Sequence, residues 1–303
     1  MTHWGFVRAL ISLAGLSLLL LSCASSSSEP HARIPLITPA GAQHELAVGE
    51  LRGTMFLADR HRMASEPRLL LHFNGARAIP FVAAASCSQP TVAISFHLGA
   101  GSRRYEGPFT DRPAEIVFGE LLDEATRIAR SSSPTFKHFS RIEITSFSAG
   151  YGAVRALLRS SVKLRIDSIL LLDGLHTSYA DAAGSVRALD ETAMWPFLDF
   201  AKRAAEGQVS FVITTSSIVP PNYASTTETA KWLLARIGVS ERTLRRRLFG
   251  MDGIAEARSG SFRVYRFAGD AAVDHIDHFH ALPAIRCEML GRSLRGRKRQ
   301  ARG

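Results

Sequence analysis

Six short, almost wholly apolar runs alternate with longer stretches of helical pattern, and this alternation restricts the available folds more than any other feature of the chain. Arg68–Phe73 (RLLLHF), Thr91–Phe96 (TVAISF), Ile142–Thr145, Ile169–Leu172, Phe211–Thr214 and Phe262–Phe267 read as strands. Helical periodicity covers Arg112–Arg130, Ala149–Arg159, Pro196–Ala205, Thr226–Ile237 and Ile276–Leu290. A strand that is apolar along its whole length, not at every second position, has to be covered on both faces. Such strands separated by helices imply an α/β fold, a mostly parallel central sheet with helices on both faces. His44–Leu57 adds an antiparallel hairpin. Residues 32–290 form one domain's worth of chain, without an internal repeat or a long low-complexity linker.

The two ends read differently. Lys and Arg number 37 against 27 Asp and Glu, a formal net charge of +10. That excess would suggest a nucleic-acid partner if it were spread over the domain. It is not: Arg286–Gly303 holds seven basic side chains and one acid, Glu288. Residues 291–303 therefore read as a solvated basic tail suited to anionic headgroups or another polyanion. The body is close to neutral and carries no nucleic-acid-reading motif.

At the start, Ala9–Leu21 is an uncharged apolar run following Arg8. At a rise of about 1.5 Å per residue it is too short to cross a hydrocarbon core of about 30 Å, so residues 1–22 read as an export signal. Leu20-Leu21-Ser22-Cys23 resembles a bacterial lipobox, with Leu21 where a smaller residue is more usual. The resemblance implies that Cys23 becomes the lipidated N-terminus, and residues 23–31, with Ser25–Ser28, read as a tether. The expected location is the cell envelope, with the membrane reached through the lipid.

The stretch with the most chemical content is Ile142–Ala153, IEITSFSAGYGA. An apolar strand runs into Ser148 with small residues at −2 (Ser146) and +2 (Gly150), and a small-residue helix follows. A serine in a sharp strand-to-helix turn needs small neighbours at those positions, because larger ones would strike the adjoining strand and helix. The helix N-terminus then favours negative charge developing beside the serine. On these residues the domain resembles the α/β-hydrolase superfamily, with Ser146 standing where the G-x-S-x-G pattern has Gly.

That resemblance implies an α/β-hydrolase fold and a serine hydrolase cleaving an ester or amide through an acyl-enzyme. Leu69–Ala76 (LLLHFNGA) lies where the family has its oxyanion turn, with Asn74 in place of His. The backbone N–H groups of Ala76 and Ala149 are the implied oxyanion donors. Gly269–His280 follows the last strand, where the family carries its base, and contains His275, His278 and His280. His275 is the preferred base because it comes first after the strand; His278 and His280 remain alternatives. The i,i+3 spacing of His275 and His278 differs from the i,i+4 pair of helical zinc sites, so no metal is expected. No G-x-G-x-x-G or Walker pattern occurs, so no nucleotide or flavin cofactor is expected either.

The acid is less direct. The loop after Phe211–Thr214 contains no carboxylate before Glu228, and Ser225-Thr226-Thr227-Glu228 fits a helix capping box. Asp173-Gly174, at the end of the preceding strand, supplies the preferred acid, Asp173. Its competing reading is a turn-forming Asp-Gly.

His176–Trp195 occupies the family's cap position and is short, so a shallow site is expected. Leu98–Pro108, with Arg103 and Arg104, reads as a loop at the same mouth. With Cys23 lipidated, Cys87 and Cys287 remain. An oxidising compartment permits a bond between them; the alternative is two buried thiols. The rival functional reading keeps the fold but not the catalysis, as an envelope lipoprotein that binds acyl or other envelope material.

Overall fold

The computed structural model describes residues 37–180 and 188–300, with residues 292–300 as backbone only. The described residues belong to one compact unit, Ala32–Gly303. The export signal, Cys23 and the Ser-rich tether lie outside them. Among the described residues eleven strands form one sheet. They are β1 (Gly41–Val48), β2 (Leu51–Ala58), β3 (Arg68–Phe73), β4 (Thr91–Phe96), β5 (Ile142–Phe147), β6 (Ser168–Leu172) and β7 (Ser210–Thr215), then the two-residue β8 (Arg242–Thr243) and β9 (Arg247–Leu248), β10 (Met251–Ser259) and β11 (Phe262–Phe267). Their order is β1-β2-β4-β3-β5-β6-β7-β11-β10-β8, with β9 beside β10.

The centre of the sheet, β4-β3-β5-β6-β7-β11, is parallel throughout. The β1–β2 hairpin joins it antiparallel through β4, and β10 pairs antiparallel with β11 at the other side. The parallel strands are those whose apolar runs were continuous, and their residues are almost all buried. β5, which leads to Ser148, lies in the interior of the sheet between β3 and β6.

Among the described residues eight helices cover the sheet: α1 (Ala78–Ser86), α2 (Ser102–Glu106), α3 (Ala114–Ser132), α4 (Tyr151–Leu158), α5 (Glu191–Ala205), α6 (Thr226–Ile237), α7 (Ala272–His280) and α8 (Leu282–Gln300). Two apolar layers result. One packs α3, α4, α5 and α6 on one face through residues such as Phe118, Leu157, Phe197 and Leu233. The other packs α1, α7 and α8 on the opposite face through Phe81, Phe279 and Ile285. Among the described residues no helix is long and apolar enough to cross a membrane.

Several expected boundaries move. α5 begins at Glu191, not Pro196: the Asp190 side chain accepts from the Thr192 N–H and caps a start that places Pro196 inside the helix. The expected single helix over Ile276–Leu290 is two, α7 and α8. Pro283 at the second position of α8 has no N–H to give, which suits the first turn of a new helix and not the middle of a continuous one. α8 runs through residue 290 to Gln300, so the expected basic tail begins within it. The expected loop Leu98–Pro108 contains α2, with Arg103 and Arg104 exposed on it. Cys87 and Cys287, at the ends of α1 and near the start of α8, form a disulfide across 200 residues.

Candidate active site

β5 ends at Phe147, and the chain turns at once through a 3-10 turn, Ser148–Gly150, into α4. Ser148 has φ +48°, a left-handed conformation that costs a non-glycine residue on the order of 1–3 kcal/mol. The surroundings enforce it. Ser146 is fully buried, and a Cβ on Gly150 would stand 2.1 Å from the Phe73 carbonyl oxygen. The requirement for small residues on both sides of the serine is therefore met by direct contact with β3. Gly174 presses on the same turn from the other side: a Cβ there would lie 2.5–2.9 Å from the Ser148 backbone oxygen, nitrogen and Cα.

The residue before Gly174 is Asp173, immediately after β6, with φ +42° and almost fully buried. Its Oδ2 meets Nδ1 of His275 at 2.7 Å. Its Oδ1 accepts from the Ser216 N–H at 2.8 Å and the Thr226 hydroxyl at 2.6 Å. The loop after β7, which holds no carboxylate near the site, and the first residue of α6 thus supply one donor each to an acid from the neighbouring strand. Burial opposes ionisation of Asp173. The bond from His275, the nearby His278 and His275 rings and the Thr226 hydroxyl outweigh it and hold the carboxyl well below the usual carboxylate range. An ionised acceptor at Nδ1 leaves the other imidazole nitrogen, Nε2, as the basic one.

His275 lies inside α7, not ahead of its helix as expected, and its ring packs at 4.5 Å on Phe147. Two contacts therefore join the histidine to the serine turn: Phe147 precedes Ser148, and Asp173 precedes the glycine that abuts it. Among the described residues no hydrogen bond links the Ser148 hydroxyl to His275. His278 bonds elsewhere, with Nδ1 2.7 Å from the Thr214 hydroxyl, and is buried under Phe267. His280 lies edge-on to Phe279. Glu228 forms the expected capping box with Ser225 and also accepts from the Tyr179 hydroxyl.

The turn after β3 is held by side chains that the sequence did not single out. Asn74 (φ +74°) donates through Nδ2 to the Phe147 carbonyl at 3.0 Å, and its Oδ1 accepts from the Tyr105 hydroxyl at 2.8 Å. His72, fully buried, bonds the Asn74 carbonyl at 2.7 Å and Thr145 at 2.8 Å. The Ala76 turn is therefore fastened to the carbonyl one residue before Ser148, and Ala149 follows the serine within its 3-10 turn. Asn at the turn was noted only as a departure from His. Its tolerance of a left-handed backbone together with an amide able to reach a carbonyl was the legible signal.

A second unanticipated residue is His176, whose Nδ1 bonds the Ala224 carbonyl at 2.9 Å and whose ring lies edge-on to Tyr151 and Tyr223. Burial lowers its pKa. The rest of the expected cap runs to α5, with residues 181–187 outside the described ones. Among the described residues no three His, Cys, Asp or Glu side chains gather in a way that could hold a metal.

The strand order, the antiparallel β2 at one side of a parallel sheet, the sharp serine turn after β5 and the helix distribution define an α/β-hydrolase fold. No family model and no curated protein matches the sequence. Among solved structures the chain is similar to an arylesterase, at 13% identity over 83% of this chain and 86% of that one, with a TM-score of 0.47. It is also similar to the siderophore hydrolase EstB from Aspergillus nidulans (12% identity, 83% and 96% covered, TM-score 0.47). A third is the thermophilic carboxylesterase EstE1, cloned from a metagenomic library (13% identity, 85% and 90% covered, TM-score 0.46).

Proposed function

We propose that this protein is a serine hydrolase that cleaves an ester or amide through an acyl-enzyme. The observation that carries the reading is the 2.7 Å bond between buried Asp173 and His275, on a ring that rests against the residue before Ser148. A serine hydroxyl is a weak nucleophile near neutral pH and needs a base to take its proton. In this reading Ser148 attacks the carbonyl while His275 Nε2 accepts the hydroxyl proton. Asp173 keeps the opposite proton on Nδ1 and stabilises the imidazolium. The N–H groups of Ala76 and Ala149 hold the oxyanion, and His275 then protonates the leaving group. Water repeats the sequence in reverse, releasing the acid and free Ser148.

Labelling with a fluorophosphonate tests the reading. Folded protein should acquire one covalent adduct on Ser148, and Ser148→Ala should acquire none. Equal labelling of the alanine variant, or no labelling of folded parent, would remove the enzyme reading and leave a binding lipoprotein.

The chain is further proposed to be exported and held at the membrane of the cell envelope by lipid on Cys23. The support is the apolar run ending at Ser22-Cys23 and the Ser-rich stretch that follows. A mature N-terminus carrying more than one acyl chain anchors stably, whereas a single chain does so only marginally. Expressed in a bacterial host, the parent should sediment with membranes and Cys23→Ser should not. Co-sedimentation of both to the same extent would count against the anchor.

A further inference from the structure

Outside the turn that carries Ala76 lies an open cleft of about 440 Å³, bounded by β2, the end of β4 and the start of α1. That volume falls in the range of small-ligand sites. Its polar lining consists of Arg52, Thr54, Arg77, Ser95, His97 and Glu45, with Gly75 and Ala76, next to the Asn74 that bonds the Phe147 carbonyl, forming one wall.

Donors dominate this lining. Arg52 bonds the Gly49 and Leu51 carbonyls, and among the described residues no carboxylate pairs with it. Arg77 donates to the Thr54 hydroxyl at 3.2 Å and stands 3.6 Å from Glu45. His97 accepts the Gly75 N–H on Nδ1 at 3.3 Å. An imidazole nitrogen that accepts is unprotonated, so in neutral His97 the ring proton sits on Nε2, which becomes a donor. Ser95 is 4% exposed and, among the described residues, its hydroxyl has no hydrogen-bond partner. A buried hydroxyl without a partner carries a desolvation cost that a ligand or water contact would recover.

We infer that this cleft binds a carboxylate on the substrate, so that the preferred ester or amide carries an anionic group on one side of the scissile bond. The inference rests on the serine-hydrolase reading, because Gly75–Ala76 links the cleft to the reacting carbonyl. The charge count selects a monoanion: two guanidiniums face one carboxylate, leaving one positive charge for the ligand. A dianion such as a phosphate monoester would exceed it. Arg also presents the planar fork that carboxylates accept in bidentate fashion.

Two nitrophenyl esters of similar length, the neutral butyrate and the anionic monosuccinate, provide the test. The parent should turn over the monosuccinate with kcat/KM about tenfold higher, through a lower KM, and added salt should shrink the difference. Arg52→Gln should abolish the preference while changing the neutral rate less than twofold. Glu45→Gln, which removes the opposing charge, should lower KM for the anionic ester further. Equal rates on both esters by the parent, or a preference unaffected by Arg52→Gln, would overturn the inference with the hydrolase reading intact. If neither ester is cleaved, that reading is what fails. Calorimetric titration of parent and Arg52→Gln with monomethyl succinate then decides the cleft separately: at least tenfold weaker binding by the variant supports it, and equal or undetectable binding by both overturns it.

Discussion

At the scale of single residues the site is held together by groups that do no chemistry themselves. Asn74 is the clearest case, because one amide ties the Ala76 turn to the carbonyl preceding Ser148 and also accepts from Tyr105. Asn74→Gly keeps a residue that tolerates φ +74° but removes both bonds. If the tether positions the oxyanion donors, kcat on a neutral ester should fall about tenfold with KM changed less than twofold. Stability should fall by about 1–2 kcal/mol. Tyr105→Phe, which leaves the Phe147 bond in place, should have a smaller effect on kcat. Unchanged kcat in Asn74→Gly, in a variant that remains folded, would assign the amide a purely structural part.

Ser148 and His275 stand out in the sequence at this scale because the proposed chemistry needs particular residue types at particular points of a strand–helix series. Asp173 follows from the lack of a carboxylate in the loop after β7, and the contacts that surround it in the fold were not legible. His275 chiefly holds its carboxyl ionised, and its other oxygen accepts from Ser216 and Thr226, more than forty residues away in the chain. Gly174 likewise looked like half of a turn dipeptide, and only the packed structure shows that it clears the Ser148 backbone.

At the scale of elements, strands read well where burial on both faces made them continuously apolar and poorly elsewhere. β10 (MDGIAEARS) buries Met251, Ala255 and Ala257, and two of those side chains are too small to register as an apolar alternation. α1 (AIPFVAAAS) is apolar on nearly every side and so shows no helical stripe. α7 departs from simple amphipathicity in another way. It lies over a buried polar layer in which His278 meets Thr214, and Phe279 stacks on the ring of His72.

Burial lowers the pKa of both His72 and His278 from 6.5 to about 4. The unfolded chain therefore takes up these protons first as the pH drops. The corresponding stability is fully present above about pH 6.5 and is lost as the pH falls toward 4, by about 3 kcal/mol for each ring. Asp173 is depressed below the ordinary carboxylate value, so its own loss belongs to a lower window, beneath about pH 4. Urea unfolding from pH 7.5 to 4.5 should show the parent losing several kcal/mol. His278→Gln, which can still bond Thr214, should lose about 2–3 kcal/mol less over that range. Identical slopes for parent and variant would mean that His278 titrates normally in the fold.

At the scale of the molecule, the C-terminal helix closes the sheet face that carries α1 and α7, and it is fastened at one place by two kinds of bond. Arg286 is fully buried; its Nε meets Glu143 at 2.8 Å, and its other nitrogens donate to the Ala83 carbonyl and the Thr91 hydroxyl at 2.8 Å each. Glu143 lies on β5, the strand that ends at Ser148, and also pairs with Arg68. Burial alone would raise the Glu143 pKa, but the Arg286 and Arg68 guanidiniums outweigh it and hold the carboxyl below its ordinary value. The next residue, Cys287, is bonded to Cys87 at the end of α1.

A bond across 200 residues removes much of the freedom of the unfolded chain, and such bonds contribute typically about 2–4 kcal/mol. In a domain of this size that corresponds to roughly 5–15 °C in Tm. Cys87–Cys287 was anticipated as one of two alternatives, because cysteine count and compartment can permit a bond but cannot bring two chain segments together. The bond joins helices on the face opposite α4 and touches none of Ser148, Asp173 or His275, so its loss should separate stability from catalysis. Cys87→Ser/Cys287→Ser, or the parent fully reduced, should melt lower by that amount while its initial rate at 25 °C on a neutral ester stays within twofold of the oxidised protein. Equal melting temperatures would show that the Arg286–Glu143 cluster alone holds α8. A parallel fall in rate well below the melting transition would show instead that α8 transmits its position through β5 to the serine turn.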